Sequence, residues 1–209
     1  MAKEFKKMYN IGNIIVAKPS FHLETIVKKS KPKNKEYKFL YPSFARPYKN
    51  FELACEAAKE LWQKNKGFKL FITISGNENL YARVLKKKYG GLTYIVFTGL
   101  LKRSELLEMY GKVDCLLFLS KLETWGMPIT EFKAFNKPII VAKLPYALET
   151  VGEYTNVGFV KPTDSSMLKE QMCFLMKYGS FKSEKNWEND VKFEQFNDWN
   201  ELFNNIIKD

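Results

Sequence analysis

The sequence predicts an α/β fold, a parallel sheet of about six strands with helices on both faces. Three observations predict it. Apolar runs of strand length alternate with helical stretches between residues 37 and 178, and that alternation builds a parallel sheet covered on both sides. Helix stops recur at Gly90-Gly91 and Gly111, where the pattern is about to change. A chain of 209 residues with 45% apolar and 27% charged side chains has the length and balance of one good-sized soluble core.

The elements follow in order. Residues 13–16 (NIIV) are a lone short strand candidate. Residues 28–38 hold six lysines in eleven positions without apolar periodicity and read as a solvated linker. Strands are predicted at 37–41, 69–75, 93–97, 114–119, 138–142 and 157–160. Helices are predicted at 51–64, 79–89, 104–110, 127–135, 146–151 and 165–178. In the first helix Phe51, Ala54, Cys55, Ala58, Leu61 and Trp62 fall at three-and-four spacing, a core face. Lys86, Lys87 and Lys88 complement the dipole at the end of the second. A last helix is predicted over 184–207. Its face of Trp187, Val191, Phe193, Phe196, Trp199, Leu202, Phe203 and Ile206 is expected to pack on the domain. The organisation is then a linker or remnant of another domain over 1–36, a ligand-binding domain over 37–180, and a C-terminal helix over 181–209. Right-handed crossovers place the loops 43–50, 76–79, 99–102, 120–126 and 143–145 on one edge of the sheet.

Several classes are set aside. No apolar run approaches the length that spans a bilayer, and the N-terminus lacks the apolar stretch of a signal peptide, so a cytoplasmic location is expected. Cys55, Cys115 and Cys173 are 60 and 58 residues apart, which is no metal-ligand spacing, and each is expected to be a small core residue. The net charge of +11 suits nucleic acid, an anionic membrane surface or a low-GC bacterial lysine bias, and nucleic acid is set back because the aromatics are not interleaved with lysine as a stacking platform. The lone histidine, His22, has no acid or nucleophile near it in sequence and reads as structural.

The most informative stretch is 119–131. An apolar strand ends in a polar turn with Ser120, Glu123 and Gly126, and Pro128 opens a helix that carries Glu131. Backbone N–H groups at 126–129 and the positive end of the helix dipole suit a phosphate. A carboxylate just inside the helix can accept from vicinal hydroxyls such as those of a ribose, and one in the loop can hold a second hydroxylated ring. Glu123 and Glu131, eight apart, also fit an ordinary surface helix.

The segment resembles the donor-binding half of GT-B glycosyltransferases, the retaining class with the E-x7-E motif. Glu123 and Glu131 match its two glutamates, Trp125-Gly126-Met127-Pro128 its centre, and Ser120 the preceding serine. Arg46-Pro47-Tyr48-Lys49-Asn50 resembles the basic element that opens this domain. Residues 71–76 and 94–99 resemble its next two strands, each ending in glycine, and Phe135-Asn136-Lys137-Pro138-Ile139-Ile140 the turn and strand after the motif. The match runs in order from about 37 to 178.

The resemblance implies a Rossmann-like sheet, the C-terminal half of a GT-B fold, and a retaining hexosyltransferase in cell-surface polysaccharide synthesis. It implies a nucleotide-diphosphate sugar as substrate, UDP first and GDP second, with no metal and no cofactor. Glu123 would orient the donor sugar. Arg46, Lys49, Trp125, Gly126 and Met127 would bind the diphosphate, Glu131 the ribose, and Gly76, Gly99 and Leu101 the base. The glycines at 76 and 99 read equally well as turn residues. The partner would be an N-terminal acceptor domain supplied in cis or in trans, with the chain a C-terminal fragment inactive alone. The alternative is a non-enzymatic basic α/β module that binds nucleic acid or a partner protein.

Overall fold

Cys115–Phe118 and Ile139–Ala142 are apolar throughout and buried at every position. Only the centre of a sheet covered on both faces accepts such strands. The rest of the architecture follows from where these two lie. The protein is seen in a computed structural model that describes residues 2–11, 14–17, 19, 36–181, 195–196 and 202–204. It divides into two units, Met1–Glu24 with Asn186–Asp209, and Thr25–Lys185.

The first unit begins with helix α1 (Ala2–Tyr9) and the two-residue strand β1 (Val16–Ala17). In the second unit the order is β2 (Tyr37–Tyr41), a 3-10 turn (Pro47–Lys49), α2 (Phe51–Trp62), β3 (Phe68–Ile72), α3 (Leu80–Tyr89), β4 (Ile95–Phe97) and α4 (Arg103–Lys112). Then come β5 (Cys115–Phe118), α5 (Met127–Lys133), β6 (Ile139–Ala142), α6 (Pro145–Val151), β7 (Val157–Val160) and α7 (Ser165–Tyr178). All strand pairs are parallel and the sheet order is β4-β3-β2-β5-β6-β7. The chain winds outward from β2 in one direction and from β5 in the other. The crevice at the C-terminal ends of β2 and β5 is therefore the switch point where doubly wound sheets place their ligands. β2 and β5 pair in the register Phe39 to Cys115 and Leu40 to Leu116.

Helix packing fixes the loops around that crevice. α2 buries Phe51, Leu53, Ala54, Cys55, Ala57, Ala58 and Leu61, a wider face than its spacing predicts, because α7 lies against it as well as the sheet. Trp62, half-buried, stacks on Tyr94 with ring centroids 4.3 Å apart. β3 stops at Ile72, short of the predicted 75, and beyond it the Thr73 side chain serves a loop. Its Oγ1 accepts from the Ser43 amide at 2.9 Å and donates to the Ser43 carbonyl at 3.1 Å. Gly111 lies inside α4 rather than ending it.

Two further expectations are corrected. Cys173 is exposed, because the buried stripe of α7 is Leu168, Met172 and Leu175 and residue 173 lies outside that stripe. The helix predicted over 184–207 is interrupted by β8 (Gln195–Phe196), which pairs in parallel with β1 in the first unit. Local spacing favoured a helix there, and a strand partner far away in sequence overrode it. Residues 202–204 are helical, with Leu202 buried and Phe203 exposed. Trp187, Val191, Phe193, Trp199, Ile206, Asn13, His22 and most of the lysine run lie outside the described residues.

Candidate functional site

Two loops meet at the switch point. The one after β2 carries Arg46 and Lys49, and the one after β5 carries Ser120, Glu123 and Gly126. Their main chains are joined directly, since the Lys121 amide donates to the Tyr48 carbonyl at 2.7 Å. Ser120 Oγ donates to the Leu122 carbonyl at 3.0 Å and the Tyr146 hydroxyl donates to the Ser120 carbonyl at 2.7 Å. Burial, with the charge of Glu123 adding to it, pushes the Tyr146 phenol up, so it stays a donor. The serine named by the motif thus shapes the loop.

Asn50 holds the β2 loop from below. Its backbone is left-handed, φ 59°, and its amide is buried. Nδ2 donates to the carbonyls of Leu119, at 3.3 Å, and Pro162, at 2.8 Å. One side chain therefore ties the loop after β2 to those after β5 and β7. The Tyr41 hydroxyl, its phenol pushed up by burial, donates to the carbonyl of Lys49. With its main chain fixed on both sides, Lys49 sends its ammonium across the crevice.

There it meets Glu123. Nζ of Lys49 and Oε1 of Glu123 form a close ion pair, with side-chain exposures of 12% and 14%. The ammonium also lies 5.4 Å from the Tyr48 ring centre and 5.7 Å from that of Phe118, positions where aromatic faces attract a cation. Two residues predicted for separate parts of a ligand therefore hold one another. Arg46 is exposed on the same loop, at the N-cap of the 3-10 turn.

Gly126 is the N-cap of α5 at φ +92°, and a Cβ there would meet Ile129 and the Phe118 ring at 3.2 Å. Glycine is required by both conformation and space. The row of free amides at 126–129 is shorter than predicted. Pro128 has none, and the Ile129 amide donates to the Gly126 carbonyl at 2.9 Å. The Trp125 carbonyl accepts from the Thr150 hydroxyl, and its indole N–H donates to Thr130 Oγ1 at 2.9 Å. Trp125 is anchored to α5 and α6, while Met127 is exposed.

Glu131 is the surprise. It is 3% exposed, with no place on a solvated face. Arg103 Nη1 donates to Oε1 at 2.7 Å and the Tyr110 hydroxyl to Oε2 at 3.1 Å. A carboxylate has about four acceptor positions, so two such bonds leave room for more. Neither partner was anticipated from sequence, where Arg103 lay just outside the helix predicted over 104–110 and Tyr110 at its end.

The remaining predicted residues lie at the ends of β3 and β4. Gly76, at φ +100°, would drive a Cβ to within 2.5 Å of Lys86 Cβ, so its bareness serves the approach of α3. Its amide and that of Ser75 donate to the Glu78 carboxylate. Gly99 has only Ser75 Cβ within 4 Å of where a Cβ would stand, at 3.8 Å. Leu101 is half-buried beside it, and its neighbour Leu100 is exposed. The open position is therefore at Gly99 and the crowded one at Gly76. Among the described residues no group of three or more His, Cys, Asp or Glu side chains is placed to hold a metal ion, and no helix is long and apolar enough to cross a membrane.

Comparison with known proteins agrees with this architecture. No curated protein matches the chain. Among solved structures it is similar to TarM, with 14% identity, a TM-score of 0.64, and 85% of this chain aligned to 39% of TarM. It is similar to HepE of Anabaena, solved in complex with UDP and glucose, with 20% identity, a TM-score of 0.57, and 69% of this chain aligned to 39% of HepE. It is also similar to the C-terminal domain of the group 1 family glycosyl transferase LpcC of Francisella tularensis. There the identity is 20% and the TM-score 0.56, with 68% of this chain aligned to 76% of that domain. The chain spans 39% of the length of TarM and of HepE. At these identities the likeness is one of fold, the Rossmann-like half of a GT-B glycosyltransferase. The family itself is shown by sequence, which matches across residues 23–192, and the chain belongs to the glycosyl transferases group 1 family.

Proposed function

We propose that Thr25–Lys185 is the donor-binding domain of a retaining glycosyltransferase, that its substrate is a nucleoside-diphosphate sugar, and that UDP is the favoured nucleotide. The observation that carries this reading is the Lys49–Glu123 pair at the switch point, beside a Glu131 with acceptor capacity to spare. A diphosphate entering the crevice takes the Lys49 ammonium from Glu123, with Arg46 at the rim and the Gly126 and Met127 amides behind. Guanidinium and ammonium groups neutralise the leaving diphosphate without a metal. Glu123, released, accepts from hydroxyls of the donor sugar. Glu131 accepts from the ribose, and the base lies along Gly99 and Leu101. The complex of HepE with UDP and glucose supports the choice of UDP.

In the reaction we propose, the acceptor hydroxyl attacks C1 on the face from which the nucleotide leaves. The bond from C1 to the phosphate oxygen breaks as the new C–O bond forms, and the acceptor proton passes to the departing phosphate. No protein group forms a covalent bond. The acceptor side of the cleft would come from a further domain, in cis or in trans. The +11 charge would serve contact with an anionic membrane surface that presents a lipid-linked acceptor. A calorimetric titration with UDP-, GDP- and ADP-sugars, with and without chelator, tests the reading. Metal-independent binding with UDP tightest is expected, and absence of binding to all three would overturn it in favour of a non-enzymatic α/β module.

A further inference from the structure

We propose that Tyr110 is a positioning residue for the hydroxyl-binding carboxylate of Glu131. It fixes Oε2 from the buried side, so that the remaining acceptor positions face the vicinal hydroxyls of the donor ribose. The inference deepens the donor-binding reading and rests on it.

The two partners of Glu131 are unlike. Tyr110 is fully buried, whereas the Arg103 side chain is 62% exposed. Oε2 is therefore held from within the protein and Oε1 from the solvent side. The phenol has little freedom. Its ring lies edge-on to Phe132 at 5.3 Å and to Phe135 at 5.8 Å between centroids. Its own main chain is clamped as well, because Lys137 Nζ donates to the carbonyls of Tyr110 at 2.8 Å, Gly111 at 2.7 Å and Val113 at 2.6 Å. Burial, and next the charge of Glu131, push the Tyr110 phenol up, so the group remains a donor. Arg103 stands at the first turn of α4 and meets Oε1 from the solvent side. A rigid inner donor turns the carboxylate into a fixed acceptor.

The test measures binding of UDP, 2′-deoxy-UDP and 3′-deoxy-UDP to the full chain by calorimetry, comparing the wild type with Tyr110→Phe. The wild type is expected to prefer UDP over both deoxy analogues. Tyr110→Phe should reduce that preference about tenfold, the scale of a hydrogen bond to a charged group, while changing affinity for the deoxy analogues by less than about twofold. An equal loss for all three ligands, or an unchanged preference, would mean that Tyr110 supports only the fold, and the inference would be overturned. Should Tyr110→Phe not fold, the same ratio is read with 3-fluorotyrosine at position 110, which makes the phenol a stronger donor at the cost of one small ring substituent; a shifted preference supports the inference and an unchanged one overturns it. A wild type that binds none of the ligands, or shows no ribose preference, would instead overturn the donor-site reading and this inference with it.

Discussion

Asn50 reaches the main chain of Pro162, 112 residues away, through a 2.8 Å hydrogen bond from its side-chain amide. The same amide nitrogen serves Leu119, so the loops that carry Lys49 and Glu123 share one buried tie. Replacing Asn50 by glycine should leave the left-handed turn intact and cost about 1–3 kcal/mol through the orphaned carbonyls. Replacing it by alanine should cost about 1–2 kcal/mol more, because a Cβ is strained at this φ. Urea unfolding of the two variants reads the difference, and equal stabilities would show that the backbone conformation carries no strain.

Lys49→Ala should weaken UDP by about 1.5–3 kcal/mol, the range for a charge-assisted contact, and uridine by much less. Chelation should change neither value. Calorimetry with the two ligands separates the diphosphate from the nucleoside, and an equal loss for both would remove Lys49 from the phosphates.

Glu123→Gln frees the Lys49 ammonium from its present partner. UDP should then bind as tightly as to the wild type or tighter, because no carboxylate has to be displaced. The added affinity of a UDP-sugar over UDP should fall, since that increment is assigned to the carboxylate. If the variant keeps the full increment, Glu123 does not touch the sugar.

Acid should loosen the surroundings of α3 through two carboxylates. The Lys88 ammonium and then the Tyr89 hydroxyl hold Glu56 below its ordinary 4.5. At Glu78 desolvation pushes upward, but amide donors from Ser75, Glu78 itself and Gly76 outweigh it and the carboxyl also lies below 4.5. A folded-state value depressed in this way stabilises above the unfolded value, and the contribution is lost as pH falls through the folded one. The stability of the wild type should therefore drop between about pH 5 and pH 3 more steeply than that of the Glu56→Gln, Glu78→Gln double variant. Parallel slopes in urea unfolding would exclude these groups.

The strands and helices of the second unit were legible because each is written locally. The apolar run at β5 and Pro128 just inside α5 are each signals carried by a dozen residues or fewer. The glutamates and Lys49 were legible as residue types in a familiar order. Their partners were not, because Lys49 finds Glu123 across 74 positions and Glu131 finds Arg103 across 28. Such pairs exist only once the sheet order is known. Cys173 was misjudged for a related reason. Apolar neighbours in sequence do not tell which side of a helix faces the core. β8 was missed because its partner β1 lies at the other end of the chain.

The adjacency of β2 and β5 also has a consequence for synthesis on the ribosome. A chain emerging from its N-terminus makes β2, β3 and β4 in turn, and these can pair as they appear. The crevice has only one wall until β5 arrives, where the Asp114 amide reaches the Lys38 carbonyl at 2.8 Å across 76 residues. It is not fastened until Pro162 is released to Asn50. Long-range pairing is slow and leaves strand edges open while it is awaited. The crevice is thus among the last parts of Thr25–Lys185 to mature, and between the synthesis of β2 and that of β5 the nascent chain exposes the unpaired backbone edge of β2.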